Sequence, residues 1–291
     1  MDTFALGQHT VGRVGFGAMQ LPGPGVFGPP RDHDQAIAVL KRALELGINH
    51  IDTSQFYGPN VANELIREAL HPYPGDLALV SKVGARRDEQ ANWNPAQEPD
   101  QLRADIEENL VTLGVERLAA VNLRIHSGDP SKVGPVDKDL FPRQLDAMIA
   151  ARDDGLIDGI GLSGVSTEHL QIALDRTEIA TVQNAYNLVD RTSQPVLDLC
   201  TERGISFVPF FPLGSAFSED NPVLGHPAVR REAEKLGRTP AQIALAWTLS
   251  VAPNVLLIPG TSSVAHLEEN TAVADIVLDE ETKRELDAAA G

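Results

Sequence analysis

The segment GINHIDTSQFYG (residues 47–58) combines a short apolar run with an acid and a nearby phenol. We interpret residues 48–52 as a β-strand that ends at Asp52 and leads into a loop carrying Tyr57. A carboxylate inside a fold contributes little to packing, whereas a phenol can transfer a proton if a nearby cation assists it. The segment therefore predicts a site for proton transfer at the carboxyl end of a buried strand.

Short apolar runs and longer amphipathic stretches alternate along the rest of the chain. Continuous apolar runs of this length are typical of strands that are buried on both faces. They predict strands at residues 14–19, 48–52, 77–81, 118–125, 157–162, 179–183, 205–208 and 255–258. The intervening stretches predict helices at residues 34–46, 61–70, 101–113, 142–152, 168–174, 194–203, 226–236, 240–250, 264–272 and 279–289.

Eight strand-then-helix units within 291 residues predict an α/β fold, a closed (β/α)8 TIM barrel. Residues 3–13 predict an N-terminal β-hairpin outside the repeat. An open doubly wound sheet is the alternative, but Gly15 and Gly17 are followed by a proline-rich loop rather than by the helix of a dinucleotide-binding glycine motif. Because no low-complexity linker divides the chain, we expect a single domain over residues 1–291.

The composition limits the partners and the compartment. The net charge of −17 disfavours nucleic acids and anionic membranes as partners. The single cysteine, Cys200, excludes an internal disulfide and fits a reducing compartment. The chain begins without the features of a signal peptide and has no apolar run of membrane-spanning length. We therefore expect a cytoplasmic protein that binds a small molecule, and the sequence does not indicate an oligomeric state.

In a barrel of this kind, the chemistry lies at the carboxyl ends of the strands. Asp52, Lys82 and His126 lie at the ends of three successive predicted strands, and Tyr57 follows the first of them. A buried Lys82 needs a partner, and Asp52 is the natural one. The ammonium is expected to lower the pKa of Tyr57, while His126 can hydrogen-bond the substrate oxygen. These four residues predict an acid that protonates a carbonyl oxygen as hydride reaches the carbon, with no metal involved.

Seven motifs together resemble the aldo-keto reductase family over the whole chain. They are GINHIDTSQFYG (47–58), LALVSKVG (77–84), VNLRIH (121–126), IGLSGVS (160–166), VQNAYN (182–187), FPLGS (211–215) and IPGTSSVAHLEEN (258–270). Asp52, Tyr57, Lys82 and His126 match the catalytic tetrad of that family. Three further segments are most similar to its bacterial pyridoxal reductases, namely residues 17–30, 82–87 and 208–214. The resemblance implies NADPH-dependent reduction of an aldehyde or ketone to an alcohol, with Tyr57 as general acid and pyridoxal as the first substrate to test.

The resemblance also implies the residues that bind the cofactor. They are Gly17, Ala18, Met19, Asp52, Ser163, Gln183, Phe210, Leu213, Gly214, Ser215, Ile258, Gly260, Thr261, Ser262, His266, Glu269 and Asn270. Phe210 stands where the family usually has a tyrosine, and Gly164 stands where it usually has an asparagine. Ser262 and His266 occupy a region that commonly supplies basic residues for the 2′-phosphate. We therefore expect NADP(H), with NAD(H) as the alternative.

The substrate is expected to contact side chains in and near the loops above the barrel rim. The candidates are Phe27, Phe56, Trp93, Arg124 and Phe211. Trp93 offers a flat surface for a ring, or it anchors its own loop. Arg124 shares the strand parity of His126, so it orients an anionic group or pairs with an acid inside the barrel.

Three alternative functions remain open from the sequence. One is a general aldehyde reductase that uses NADH. Another is a Schiff-base lyase with Lys82 as the amine nucleophile, which gives no role to Tyr57. The last is a non-enzymatic nucleotide sensor, which the complete tetrad argues against.

Overall fold

The computed structural model describes residues 2–125, 132–214 and 221–289, in which seven parallel strands form one curved sheet beside two antiparallel hairpins. In chain order the strands are β1 (Thr3–Leu6), β2 (His9–Gly12), β3 (Phe16–Gly17), β4 (His50–Asp52), β5 (Ala78–Val83), β6 (Ala85–Arg87), β7 (Trp93–Pro95), β8 (Ala120–Arg124), β9 (Ile160–Ser163), β10 (Thr181–Ala185) and β11 (Ser206–Phe210). β1 pairs with β2, β6 pairs with β7, and the other strands form the sheet in chain order.

Helices surround the sheet and connect its strands. They are α1 (His33–Glu45), α2 (Val61–Leu70), α3 (Pro99–Leu113), α4 (Leu140–Asp153), α5 (Thr167–Leu174), α6 (Gln194–Arg203), α7 (Pro227–Leu236), α8 (Pro240–Ser250), α9 (Val264–Thr271) and α10 (Glu280–Asp287), with 3-10 turns at Ala18–Gln20, Pro24–Val26 and Ala272–Asp275. Local chemistry sets several ends. The Thr239 side chain accepts from the Gln242 amide to begin α8, and Gly204, with φ 68°, ends α6.

The last segment of the barrel closes the ring. Val255 bridges to Phe207 of β11, and Leu257 bridges to Val14 ahead of β3, both in parallel orientation. The Gly15 amide donates to the Leu257 carbonyl at 2.8 Å. Residues 254–257 thus occupy the eighth strand position through single bridges, rather than through the continuous strand expected at 255–258. The predicted (β/α)8 barrel and its N-terminal hairpin are confirmed.

Two local predictions differ from the structure. The strand expected over 14–19 pairs as a strand only at Phe16–Gly17, because the chain then turns and the Leu21 amide bonds the Ala18 carbonyl at 3.1 Å. Between the predicted strand at 77–81 and the predicted helix at 101–113, where no element was predicted, the structure contains the β6–β7 hairpin. Its turn is organised by Asp88, whose carboxylate accepts from several groups of the turn, including the amides of residues 90 and 92.

The interior of the barrel shows which end is free for chemistry. Val80, Ala120 and Val208 form a small apolar cluster together with Leu6 and Val11 of the N-terminal hairpin. The hairpin therefore covers the amino-terminal end of the barrel, and the carboxyl ends of the strands are left for the site. No helix within the described ranges is long and apolar enough to span a bilayer.

Candidate active site

Three of the four predicted catalytic side chains lie together at the carboxyl ends of β4 and β5. The Lys82 ammonium forms an ion pair with Oδ1 of Asp52 and donates to the Thr53 carbonyl at 3.1 Å. Its Nζ lies 5.0 Å from the ring centroid of Tyr57. All three side chains are buried, with relative exposures of 2% for Asp52, 5% for Tyr57 and 7% for Lys82. His126 falls outside the described residues, so its placement stays a sequence prediction.

The pKa of Tyr57 is set by opposing effects. Burial is the largest effect and raises the pKa, because the phenolate loses its hydration. The charge of Lys82 and its hydrogen bond to the phenol lower the pKa, as does the charge of Arg124, while Asp52 raises it. Lys82 therefore acts in the expected direction, but burial outweighs it, and the pKa of Tyr57 lies above the ordinary tyrosine value. A protonated phenol beside a fixed cation is the form that a general acid needs.

The pKa of Lys82 also reflects opposing effects. Burial disfavours the ammonium, but Asp52 and Tyr57 together outweigh burial and raise the pKa above the ordinary lysine value. Lys82 therefore remains a cation at neutral pH. A protonated amine is not a nucleophile, so this arrangement argues against a Schiff base at Lys82.

Gln183, the middle residue of β10, contacts the same acid from across the barrel. Its Nε2 donates to Oδ2 of Asp52 at 2.6 Å. Its Oε1 is buried and has no hydrogen-bond partner among the residues that the structure describes. A buried acceptor of this kind suits an N–H donor from a ligand. The carboxamide of a nicotinamide supplies such a donor, so Gln183 fits the cofactor role expected for it.

Arg124 lies among residues expected to hold the nicotinamide. Its Nη1 donates to Oγ of Ser163 at 3.0 Å, and its Cζ lies 4.9 Å from the ring centroid of Phe210. A Cβ at Gly164 would lie 3.4 Å from the same Nη1, an ordinary contact, but 3.1 Å from the Ile125 carbonyl. The φ of 69° and this close backbone approach favour glycine at position 164. Arg124, expected to contact substrate, therefore lies beside predicted cofactor residues.

The first and last strand positions bring a second group of cofactor candidates together. A Cβ at Gly17 would lie 2.5 Å from the Ile258 carbonyl, and a Cβ at Gly260 would lie 2.5 Å from the Gly17 carbonyl. Only glycine permits these two backbones to approach so closely. Ala18, which follows Gly17, is buried.

A cavity of about 410 Å³ adjoins this contact, and its lining includes Met19, Ser262, Arg31 and Gln35. Met19 and Ser262 were expected near the cofactor from the sequence, whereas Arg31 and Gln35 were not. The sequence signal that could have indicated Arg31 is its position directly before Asp32, whose side chain caps the start of α1. A cation, Arg31, therefore lines the same cavity as Ser262.

The remaining cofactor candidates lie in turns and at the start of α9. Gly214 donates its amide to the Phe211 carbonyl at 3.0 Å, next to Leu213, while Ser215 lies outside the described residues. Thr261 accepts from the Ser263 amide at 3.0 Å, and Ser263 caps α9. On α9 the structure leaves His266 exposed, Glu269 half-buried and Asn270 buried.

Aromatic side chains adjoin the phenol. The ring of Phe56 lies edge-on to Tyr57 with centroids 5.3 Å apart, and edge-on to Trp93 at 5.6 Å. Phe27 forms a parallel bridge with Gly58, the residue after Tyr57. Three of the predicted substrate residues therefore contact Tyr57 or one of its neighbours. A fourth, Phe211, packs edge-on against Phe210 at 5.2 Å, on the cofactor side.

The described ranges contain no group of three or more His, Cys, Asp or Glu side chains arranged to hold a metal ion. What the site does contain is a buried acid–base group, a buried amide oxygen without a partner in the described part of the chain, a cavity lined by Arg31, and an aromatic surface. This combination can transfer a proton to a polar group of a flat ligand held next to a dinucleotide.

Comparisons with known proteins agree with this chemistry. The pattern of the Aldo/keto reductase family matches residues 13–290. Pyridoxine 4-dehydrogenase of Escherichia coli K12 is 48% identical over 286 residues, covering 98% of this chain and 97% of that protein. An uncharacterized oxidoreductase of Schizosaccharomyces pombe is 40% identical, covering 98% of this chain and 89% of that protein.

Solved structures give the same assignment. The crystal structure of an aldo/keto reductase from Klebsiella pneumoniae in complex with NADP and acetate matches with a TM-score of 0.78 and 26% identity. The match covers 98% of this chain and 94% of that one. The resemblance found in the sequence motifs is therefore confirmed. The chain belongs to the aldo/keto reductase family and is an NAD(P)H-dependent oxidoreductase.

Proposed function

We propose that this protein reduces the aldehyde of pyridoxal to the alcohol of pyridoxine with NADPH. The observation that carries the proposal is the buried phenol of Tyr57, which lies beside the Lys82 ammonium and at one end of an aromatic surface. Such a site can hold a flat ring and protonate the oxygen of its aldehyde group. The identity with the pyridoxine 4-dehydrogenase of Escherichia coli supports the same substrate.

Side chains of this protein would hold the cofactor by hydrogen bonding and stacking. When bound, NADPH supplies the hydride that reaches the carbonyl carbon. Gln183 offers its buried Oε1 to the carboxamide N–H groups, and Ser163 offers a hydroxyl whose oxygen already accepts from Arg124. That hydrogen bond leaves the Ser163 proton available for donation. Phe210 offers its ring face for stacking.

Proton transfer then depends on Tyr57 and its neighbours. Tyr57 donates its hydroxyl proton to the carbonyl oxygen, and the Lys82 charge stabilises the resulting phenolate. Asp52 keeps Lys82 protonated and in place. From its motif, we propose that His126 hydrogen-bonds the same carbonyl oxygen. A fixed charge in a buried site acts more strongly than it would in water, which favours the transition state.

NADH use is a second candidate for the cofactor, because the segment 258–270 contains no lysine or arginine. NADPH is favoured because Arg31 lines the same cavity as Ser262 and can pair with a phosphate. We also propose a cytoplasmic location, since Cys200 is the only cysteine and the net charge is −17.

The test is consumption of NADPH by the purified protein with pyridoxal, with chromatography to identify pyridoxine. Tyr57→Phe is the matched control, because it removes only the hydroxyl. Loss of a general acid should reduce turnover by about 10²–10⁴-fold while NADPH affinity stays unchanged. Full turnover in Tyr57→Phe would exclude Tyr57 as the proton donor. If the unmodified protein produces no pyridoxine from pyridoxal and NADPH, the proposed function is wrong.

A further inference from the structure

Arg87, on β6, joins three backbone carbonyls from two separate segments. Its guanidinium donates to the carbonyls of Val26 at 3.1 Å, Gly25 at 3.2 Å and Ala91 at 2.9 Å. Gly25 and Val26 belong to the 3-10 turn that follows the first barrel strand, whereas Ala91 lies in the turn of the β6–β7 hairpin. One side chain therefore fixes the position of the hairpin relative to the turn.

The segments held by Arg87 contain unusual backbone conformations. Val26 has φ 59° and Ala91 has φ 62°, both in the left-handed region. A β-branched residue rarely adopts this conformation, because its side chain crowds the backbone. Such conformations persist only where surrounding contacts enforce them. Arg87 bonds the carbonyl of each of these two residues, so it is a principal contact that enforces them.

The same guanidinium also orders aromatic rings. Its Cζ lies 4.0 Å from the ring centroid of Trp93 and 5.3 Å from that of Phe27. A planar guanidinium stacks on aromatic faces, which a lysine ammonium cannot do. Trp93 then meets Phe56 edge-on, and Phe56 meets Tyr57 edge-on. A continuous series of ring contacts thus leads from Arg87 to the proposed proton donor.

Backbone hydrogen bonds connect the turn to the same phenol. The Gly58 amide donates to the Val26 carbonyl at 3.2 Å, and the Gly28 amide donates to the Gly58 carbonyl at 2.9 Å. Gly58 directly follows Tyr57. The turn that Arg87 holds is therefore paired with the backbone next to the phenol, so its position affects the space beside the hydroxyl.

We propose that Arg87 is a positioning residue that sets substrate specificity, by holding Phe27 and Trp93 as an aromatic wall beside Phe56 and Tyr57. The wall selects planar aromatic aldehydes over non-planar aldehydes of similar size. This inference rests on the proposed carbonyl reduction. Trp93 is 39% exposed, so part of the indole remains available to a ligand. A flat ring gains offset or edge contacts with such a wall, whereas a puckered ring does not.

The test compares two aldehydes that differ in the planarity of one six-membered ring, benzaldehyde and cyclohexanecarbaldehyde. The variants are Arg87→Met, which keeps an apolar stem, and Arg87→Lys, which keeps the charge but loses the planar fork. Arg86→Met is the matched control. Arg86 precedes Arg87 on the same strand but pairs with Asp105 of α3 at 2.7 Å. This control loosens the same hairpin without removing a contact of the wall.

The measured quantity is the ratio of kcat/KM for benzaldehyde to that for cyclohexanecarbaldehyde. Both Arg87 variants should lower this ratio by about fivefold, mainly through KM for benzaldehyde. The Kd of NADPH should stay unchanged, and Arg86→Met should keep the ratio of the unmodified protein. Circular dichroism of each variant shows whether the protein is still folded, so a changed ratio in a folded variant can be assigned to the wall.

Several outcomes would overturn the inference. An unchanged ratio in folded Arg87→Met is one of them. An equal fall of the ratio in Arg86→Met is another, since it would show that general loosening of the hairpin is sufficient. A ratio in Arg87→Lys equal to that of the unmodified protein would show that the charge alone is sufficient. That result would contradict a role for the planar guanidinium in holding the wall. Absence of turnover in the unmodified protein with every aldehyde would instead reject the proposed function, and this inference with it.

Discussion

Gln183 donates from Nε2 to Oδ2 of Asp52 at 2.6 Å, while the other oxygen of Asp52 receives the ion pair from Lys82. One carboxylate therefore orients both the cation beside Tyr57 and an amide whose oxygen remains buried without a partner in the described part of the chain. The proposed proton donor and the proposed nicotinamide contact therefore share this acid. A change at Asp52 is thus expected to disturb catalysis and cofactor binding together.

Replacing Lys82 by Met should move the pH dependence of catalysis. In the direction of alcohol oxidation, the phenol must be ionised, and the charge of Lys82 lowers the pKa of Tyr57. Without that charge, the rising limb of kcat for pyridoxine oxidation should shift to higher pH. Turnover at neutral pH should fall by about 10²–10⁴-fold.

The control is the double variant Asp52→Asn/Lys82→Met. It removes the uncompensated carboxylate that Lys82→Met alone would leave buried. In both the single and the double variant, the rising limb of the pH profile should lie at higher pH than in the unmodified protein. A limb that stays in place in both variants would contradict the assignment of Lys82 as the group that stabilises the phenolate.

Replacing Arg124 by Gln should weaken cofactor binding at the nicotinamide end. Arg124 contacts Ser163 and lies over Phe210, two residues proposed to hold that ring. Loss of a charged hydrogen bond and a stacked cation should raise the Kd of NADPH by about tenfold. The adenosine fragment 2′,5′-ADP lacks the nicotinamide, so its Kd should not change. Equal weakening of both ligands would show that the variant damages the site as a whole.

Replacing Arg31 by Ala should alter the preference between the two dinucleotides. Arg31 and Ser262 line the same cavity, and a guanidinium there can pair with the 2′-phosphate that only NADPH carries. The Kd of NADPH should rise by about fivefold, while that of NADH stays unchanged. Because the pairing is exposed, high salt should reduce the difference between the proteins. If NADPH binding is unchanged, the phosphate lies elsewhere.

Replacing His50 by Leu should reduce the acid sensitivity of the fold. His50 is 1% exposed, and burial lowers its pKa from 6.5 to about 4. The unfolded state therefore binds the proton more readily than the folded state does. The stability contributed by the buried neutral imidazole is fully present above pH 6.5 and is lost as the pH falls through 4. The free energy of unfolding should fall by about 3 kcal/mol over that range because of this one group.

Urea unfolding at pH 7 and pH 4 measures this effect. The imidazole lies over Gly15, where a Cβ would meet its Cε1 at 2.2 Å, so a side chain of similar size is needed at position 50. His50→Leu should lose less stability between the two pH values than the unmodified protein. An identical loss in both proteins would show that other groups determine the acid response.

The sequence alone determined the barrel and the buried group at its centre. The helices over 61–70, 194–203 and 240–250 were predicted with the observed bounds, because their apolar periodicity and end signals are local. The positions of Asp52 and Lys82 followed from the topology, since parallel strands in a barrel bring their carboxyl ends to one rim.

Only the tertiary structure decided the contacts between distant segments and their electrostatic result. The bond from Gln183 to Asp52 spans 131 residues, and the contact of Arg87 with Val26 spans 61. No local pattern encodes such pairs, because they depend on side-chain directions after packing. The pKa of Tyr57 shows the same limit. The sequence supplied the cation nearby, but the amount of burial, which outweighs that cation, is a property of the folded protein.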